Sequence, residues 1–211
     1  MTFGVCRLGV VAACFVLALS AGELPIEGQA GRIRLEVAPG SKASYRVREQ
    51  LAGFDLPNDA LGTTEAITGS LVLLPEGTFD GDQSRLTLDL TTLKTDQDMR
   101  DNYVRTRTLE VAKFPKAEFV PRRTQGLTLP LGSSGNTSFQ MIGDLTVHGV
   151  TAETTWAVTA TLAADKVTAQ ATTRFPFSTF QLQIPKLARL LSVDDDIRLE
   201  LDLVLTRSTV P

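Results

Sequence analysis

The 211-residue chain predicts an all-β domain: one antiparallel sheet closed into an eight-stranded barrel, with a single helix between strands. Three observations predict it. From residue 32 onward, apolar and polar side chains alternate in one stretch after another, which is the period of a half-buried strand. Turn residues punctuate those stretches, and no repeat of 20 to 50 residues appears. A sheet of this many amphipathic strands cannot leave its apolar face in water, and hairpin-like connections favour closing it on itself over stacking a second sheet.

The elements follow in chain order. Arg7 precedes the apolar run Leu8 to Leu19 and the small residues Ser20, Ala21 and Gly22, so residues 1–21 read as a secretory signal peptide, too short for a stable transmembrane anchor. Val11-Ala12-Ala13-Cys14 resembles a lipoprotein box. However, only six residues separate Arg7 from Cys14, and the apolar run continues past the cysteine. Residues 22–31 are glycine-rich and aperiodic, a flexible tether. The barrel domain spans 32–207.

A short strand near 32–37 precedes strands near 43–52 and 64–74. Leu86, Leu88 and Leu90 alternate with Arg85, Thr87 and Asp89. Asp96 to Leu109 breaks the pattern: Thr95 or Asp96 can cap a helix there, with Met99 and Tyr103 on one face and Arg100, Asp101, Arg105 and Arg107 solvating the others. That helix ends before Phe114-Pro115. A strand near 116–122 follows, then Phe139, Met141, Gly143, Leu145 and Val147 on one face of the next. Trp156, Val158, Ala160 and Leu162 mark another. Val167 to Phe175 and Ile197 to Leu205 give the last two.

Both cysteines, Cys6 and Cys14, lie in the leader, so the mature chain has no thiol for a disulfide, a zinc site or a nucleophile. Cleavage after residue 21 leaves 20 bases against 24 acids, a net charge of −4. No basic block follows a phosphate backbone, which argues against a nucleic-acid partner.

His148 is the only histidine. It lies with Gly149 between two alternating strands, where a two-residue hairpin needs a residue of positive φ. A metal or catalytic role would need clustered partners, and only carboxylates are at hand. Val193-Asp194-Asp195-Asp196 and Asp80-Gly81-Asp82 lack the ligand spacing of a calcium loop and read as solvated turns before strands. No G-x-S-x-G elbow or glycine-rich phosphate loop is present. The sequence therefore predicts no catalytic residue, no metal and no cofactor.

The apolar barrel face remains. Its side chains either fill the barrel, as packed interiors do, or surround a slender guest.

Gly143-Asp144-Leu145-Thr146-Val147-His148-Gly149-Val150-Thr151 resembles, at nine of nine positions, the G-D-L-T-[IV]-H-G-V-T hairpin of the YceI-like polyisoprenoid-binding proteins. Arg100-Asp101, Leu109 and Phe114-Pro115-Lys116-Ala117-Glu118-Phe119 are similar to the family's R-D…F-P-x-x-x-F segment. Phe175 with Ser178-Thr179-Phe180, and Val193-Asp194-Asp195-Asp196-Ile197, resemble its F…R-S-D-F-G and V-G-D-E-V elements. The likeness covers about residues 32–207. Gln181 stands where glycine is usual, Asn102-Tyr103-Val104 replaces E-H-L, and Phe54 to Gly62 interrupts a hairpin that is often continuous.

The resemblance implies an extended lipocalin-like barrel, periplasmic or secreted, that binds a long isoprenoid, a polyprenyl lipid or a quinone tail, in its lumen without catalysis. Its expected lumen residues are Leu86, Leu88, Tyr103, Phe119, Phe139, Leu145, Trp156, Phe175, Leu199, Leu201 and Leu203. Tyr103 and Trp156 are the side chains suited to touch a polar head group. An encounter with a membrane surface and a homodimer are both compatible with this reading. The rivals are a packed barrel serving as an interaction or stress-response module, and a hydrolase or isomerase acting on a lipid.

Overall fold

The computed structural model describes Met1 and residues 31–53, 55–186, 188 and 190–210. The leader and nearly all of the tether lie outside the described residues. Ten strands form one antiparallel sheet: β1 (Arg32–Val37), β2 (Lys42–Leu51), β3 (Asn58–Thr64), β4 (Ile67–Leu73), β5 (Arg85–Asp89), β6 (Lys116–Gln125), β7 (Gly135–Val147), β8 (Val150–Leu162), β9 (Lys166–Phe175) and β10 (Leu190–Val210). The order β1-β4-β5-β6-β7-β8-β9-β10 closes through a β1–β10 pairing, which makes an eight-stranded barrel.

The two remaining strands lengthen two staves. β10 is 21 residues long, and no single partner covers it. Its end, Leu205–Val210, pairs with β1, and its first part, Leu190–Asp202, pairs with β2. β4 pairs with β1 and β3 with β2 in the same way. Between β1 and β2, the buried Ser41 hydroxyl accepts from the Val204 N–H at 3.0 Å and donates to the Ala38 carbonyl at 2.9 Å, which keeps the ladder satisfied across the break.

The expected strands are present, with two differences. Residues 58–62, expected as part of the Phe54–Gly62 interruption, belong to β3; Pro57 stands just before that strand and so costs no rung of the ladder. The acidic run 194–196, expected as a solvated turn before a strand, lies within β10, where the register against β2 shifts between Val193 and Ile197. This bulge is held by one contact from the turn after β9 and one from β9 itself. Asp195 Oδ1 accepts the Phe177 N–H at 2.8 Å, and Asp196 pairs with Arg174 at 3.5 Å.

The helical segment also differs from expectation. α1 covers only Asp98–Tyr103 and continues as a wide π-type turn, Val104–Thr108. Its inner face carries charged side chains beside Tyr103. Asp101 is 3 % exposed and the Arg100 side chain is largely covered, whereas Met99 is 83 % exposed.

Candidate functional site

Alternation along β2 turns Ala43, Tyr45, Val47, Glu49 and Leu51 inward, and along β10 it does the same for Ile197, Leu199 and Leu201. Together with the start of β6 and the ends of β5, β7 and β9, these residues enclose a predominantly apolar cavity of about 880 Å³ in one half of the barrel. α1 and the turn after it lie along its mouth. From Leu51 at the mouth to Ala43 at the far end is eight residues, about 26 Å of strand. The other half is solid: Leu71, Met141, Val158, Ala171 and Leu203 belong to the contiguous core. A barrel packed from end to end is therefore not what this sequence builds.

Nine of the eleven expected lumen residues line the cavity: Leu86 and Leu88 on β5, Tyr103 on α1, Phe119 on β6, Leu145 on β7, Trp156 on β8, Phe175 on β9, and Leu199 and Leu201 on β10. Two do not. Leu203 faces inward but lies one step deeper than Leu201, opposite Ala169, within the solid half. Phe139 is opposite Val158, also at the packed end. Both sit on the predicted face, but at the wrong level along the barrel axis.

The mouth is held by charge. Glu49 faces inward and receives a hydrogen bond from Arg100 Nη2 at 2.6 Å; the two side chains are 10 % and 14 % exposed. Arg100 also pairs with Asp96. Asp101 Oδ1 accepts both the backbone N–H and the hydroxyl of Thr95 at 2.7 Å, and Arg105 donates to the Leu93 carbonyl at 3.1 Å. The inward carboxylate at Glu49 explains why α1 turns its polar face to the barrel: a buried charge needs a partner.

The Tyr45 ring forms part of the wall and fills the space above Gly62, where a Cβ would come within 2.1 Å of it. Its hydroxyl is buried without a hydrogen-bond partner among the described residues. Burial, opposed by the nearby Arg100 and reinforced by Asp101 and Glu49, pushes the phenol up to about 12. The Thr108 hydroxyl is likewise buried and unpartnered. Among the described residues, no three His, Cys, Asp or Glu side chains gather where they could hold a metal ion.

His148 does not line the cavity. It forms the β7–β8 turn with φ 53° beside Gly149 at 74°. Its Nε2 lies 3.0 Å from Glu110 Oε2, and Phe114 packs on the ring edge-on at 4.8 Å. Hydrogen bonds from Lys113 and His148 hold the Glu110 carboxyl below its ordinary range. The histidine thus ties the hairpin to the segment that leaves the mouth helix.

Sequence reasoning missed Tyr45, Glu49 and the inward role of Arg100. The signal was available in the period-two set of β2, which places Glu49 on an apolar face and so demands a cation.

The family model of the YceI-like domain matches residues 36–205. The chain belongs to the YceI-like family. Solved structures share the YceI-like fold at low identity. A polyisoprenoid-binding domain from Saccharophagus degradans, implicated in plant cell wall breakdown, superposes with a TM-score of 0.64 at 15% identity, covering 83% of this chain and 98% of that one. Burkholderia cenocepacia BcnA gives 0.58 at 17%, covering 80% and 98%. A Campylobacter jejuni YceI protein gives 0.55 at 16%, covering 74% and 90%. The search of curated proteins gives no match. The matched YceI-like region runs from Glu36 in β1 to Leu205 in β10 and so includes the whole cavity.

Proposed function

We propose that this YceI-like protein binds an isoprenoid lipid, a polyprenyl chain or a quinone tail, in its barrel cavity, outside the cytoplasm and without chemical turnover. The observation that carries this reading is the blind apolar cavity of about 880 Å³, a size typical of small-molecule sites. The structural neighbour described as a polyisoprenoid-binding domain supports the ligand class. Burial of hydrocarbon supplies ample driving force, at roughly 0.8 kcal/mol per methylene.

The polar groups at the mouth support binding without turnover. Glu49, Arg100 and Asp101 are engaged with one another or with Thr95, and no nucleophile stands beside a free base among the described lining residues. The Arg7-to-Gly22 leader supports export. Met99, which lines the cavity at its mouth, is exposed, as are Leu56 and Leu191, which supports collection of the ligand at a membrane surface.

Native mass spectrometry of mature protein from its own host, followed by organic extraction, tests the reading. An isoprenoid released from the protein is the expected result. Empty protein that also shows no saturable change in Trp156 fluorescence on titration with a polyprenol would overturn it.

A further inference from the structure

The cavity does not run the length of the barrel. Its lining ends on one ring of side chains, Leu86, Phe119, Leu145, Trp156 and Leu201, each between 0 and 4 % exposed. One step toward the mouth, Leu88 and Leu199 are half-buried and face the void. One step the other way, Val158 and Leu203 belong to the core and do not line the cavity, and on β7 Gly143 and then Met141 follow Leu145 into the packed half.

Trp156 is the largest side chain of that ring, and it is fixed from two sides. Its indole N–H donates to Thr154 Oγ1 at 3.0 Å, and its ring lies 5.6 Å from Phe119 at 60°. Phe119 in turn lies across Gly143, where a Cβ would stand 2.9 Å from Cζ of the ring. An aromatic pair held in this way does not swing aside without losing a buried hydrogen bond.

We infer that this aromatic floor sets an upper limit on the hydrocarbon length the protein encloses, with Trp156 as the residue that determines it. The inference rests on the proposed function, since it presupposes a chain in the cavity. From Leu51 at the mouth to Ala43 beside this floor is about 26 Å of strand, so only hydrocarbon lying within that depth is taken from water. Each unit that fits raises affinity at least about tenfold; units left outside the mouth add nothing of that kind.

The test offers the mature protein an equimolar mixture of prenyl alcohols of two, three, four, six, eight and ten units in phosphatidylcholine vesicles, and reads the bound set by native mass spectrometry. The bound fraction is expected to rise with length among the shorter alcohols and to level off before ten units, once the chain outgrows the depth of the cavity. A fraction that climbs steadily through ten units overturns the length limit while leaving the proposed function intact. Absence of every alcohol overturns the proposed function itself. Trp156→Leu is expected to move the maximum to longer chains, whereas Leu203→Ala, one step below the floor, leaves it in place. Equal shifts in both variants would count against Trp156. Should either variant fail to fold, the wild-type distribution still decides.

Discussion

Gln181 shows how a single departure from a family pattern becomes a physical cost. It follows the short helical turn Phe177–Phe180 with φ 54° and ψ 27°, a left-handed conformation that a Cβ disfavours by about 1–2 kcal/mol. Gln181→Gly is therefore expected to raise stability by about 1 kcal/mol, read as a higher urea midpoint at unchanged slope. Tyr45 carries a second cost, a hydroxyl taken from water and given no partner. Tyr45→Phe is expected to stabilise the protein by about 1 kcal/mol at neutral pH. The unfolded phenol ionises near 10 and the folded one near 12, so folding favours the neutral form. That contribution is whole below pH 10 and is lost as pH rises through 12. The wild type should then lose up to about 3 kcal/mol more than Tyr45→Phe, as paired urea melts at pH 9 and pH 12 would show. Gln181 was legible as a departure from sequence alone; the unpartnered hydroxyl was not, because it depends on where Gly62 lets the ring lie.

At the scale of elements, the mouth helix depends on one ion pair for its docking. α1 is six residues long, too short to persist on its own propensity, and its exposed Met99 contributes little burial. The Arg100–Glu49 contact and the Asp101–Thr95 hydrogen bonds hold it in place. Arg100→Met strands the Glu49 carboxylate in a largely buried place and should cost about 3–5 kcal/mol. Pairing it with Glu49→Leu should recover most of that loss, measured by chemical denaturation as a double-mutant cycle. If the single and double variants prove equally unstable, the buried charge is not what matters. The helix was legible in the sequence as a break in alternation. Its orientation was legible only in part: Tyr103 does line the cavity, but Arg100 and Asp101, expected on the solvated faces, turn inward, where a carboxylate on β2 needs a cation.

For the molecule as a whole, period-two alternation and the Gly143–Thr151 hairpin made the closed barrel legible, because every strand had to hide the same kind of face. Eight of the cavity-lining residues sit on the faces that alternation picks out, and Tyr103 reaches the cavity from α1. What alternation cannot report is height along the axis. Leu201 and Leu203 are equivalent by pattern, yet one lines the cavity and the other is packed beneath it, because the ring of Leu201, Trp156 and Phe119 closes the end of the cavity. Joining β1 to β2 and β3 to β4 as long staves likewise depends on partners about 160 residues away, such as Ser41 with Val204.

The solid half has a bearing on how the barrel keeps its shape. A vessel that relied on its contents for support would slump when emptied and expose its oily lining to aggregation. Here Leu71, Met141, Val158 and Leu203 give the wall a foundation of its own, and the Glu49–Arg100 clasp braces its opening. Such a vessel keeps its form whether or not anything fills it.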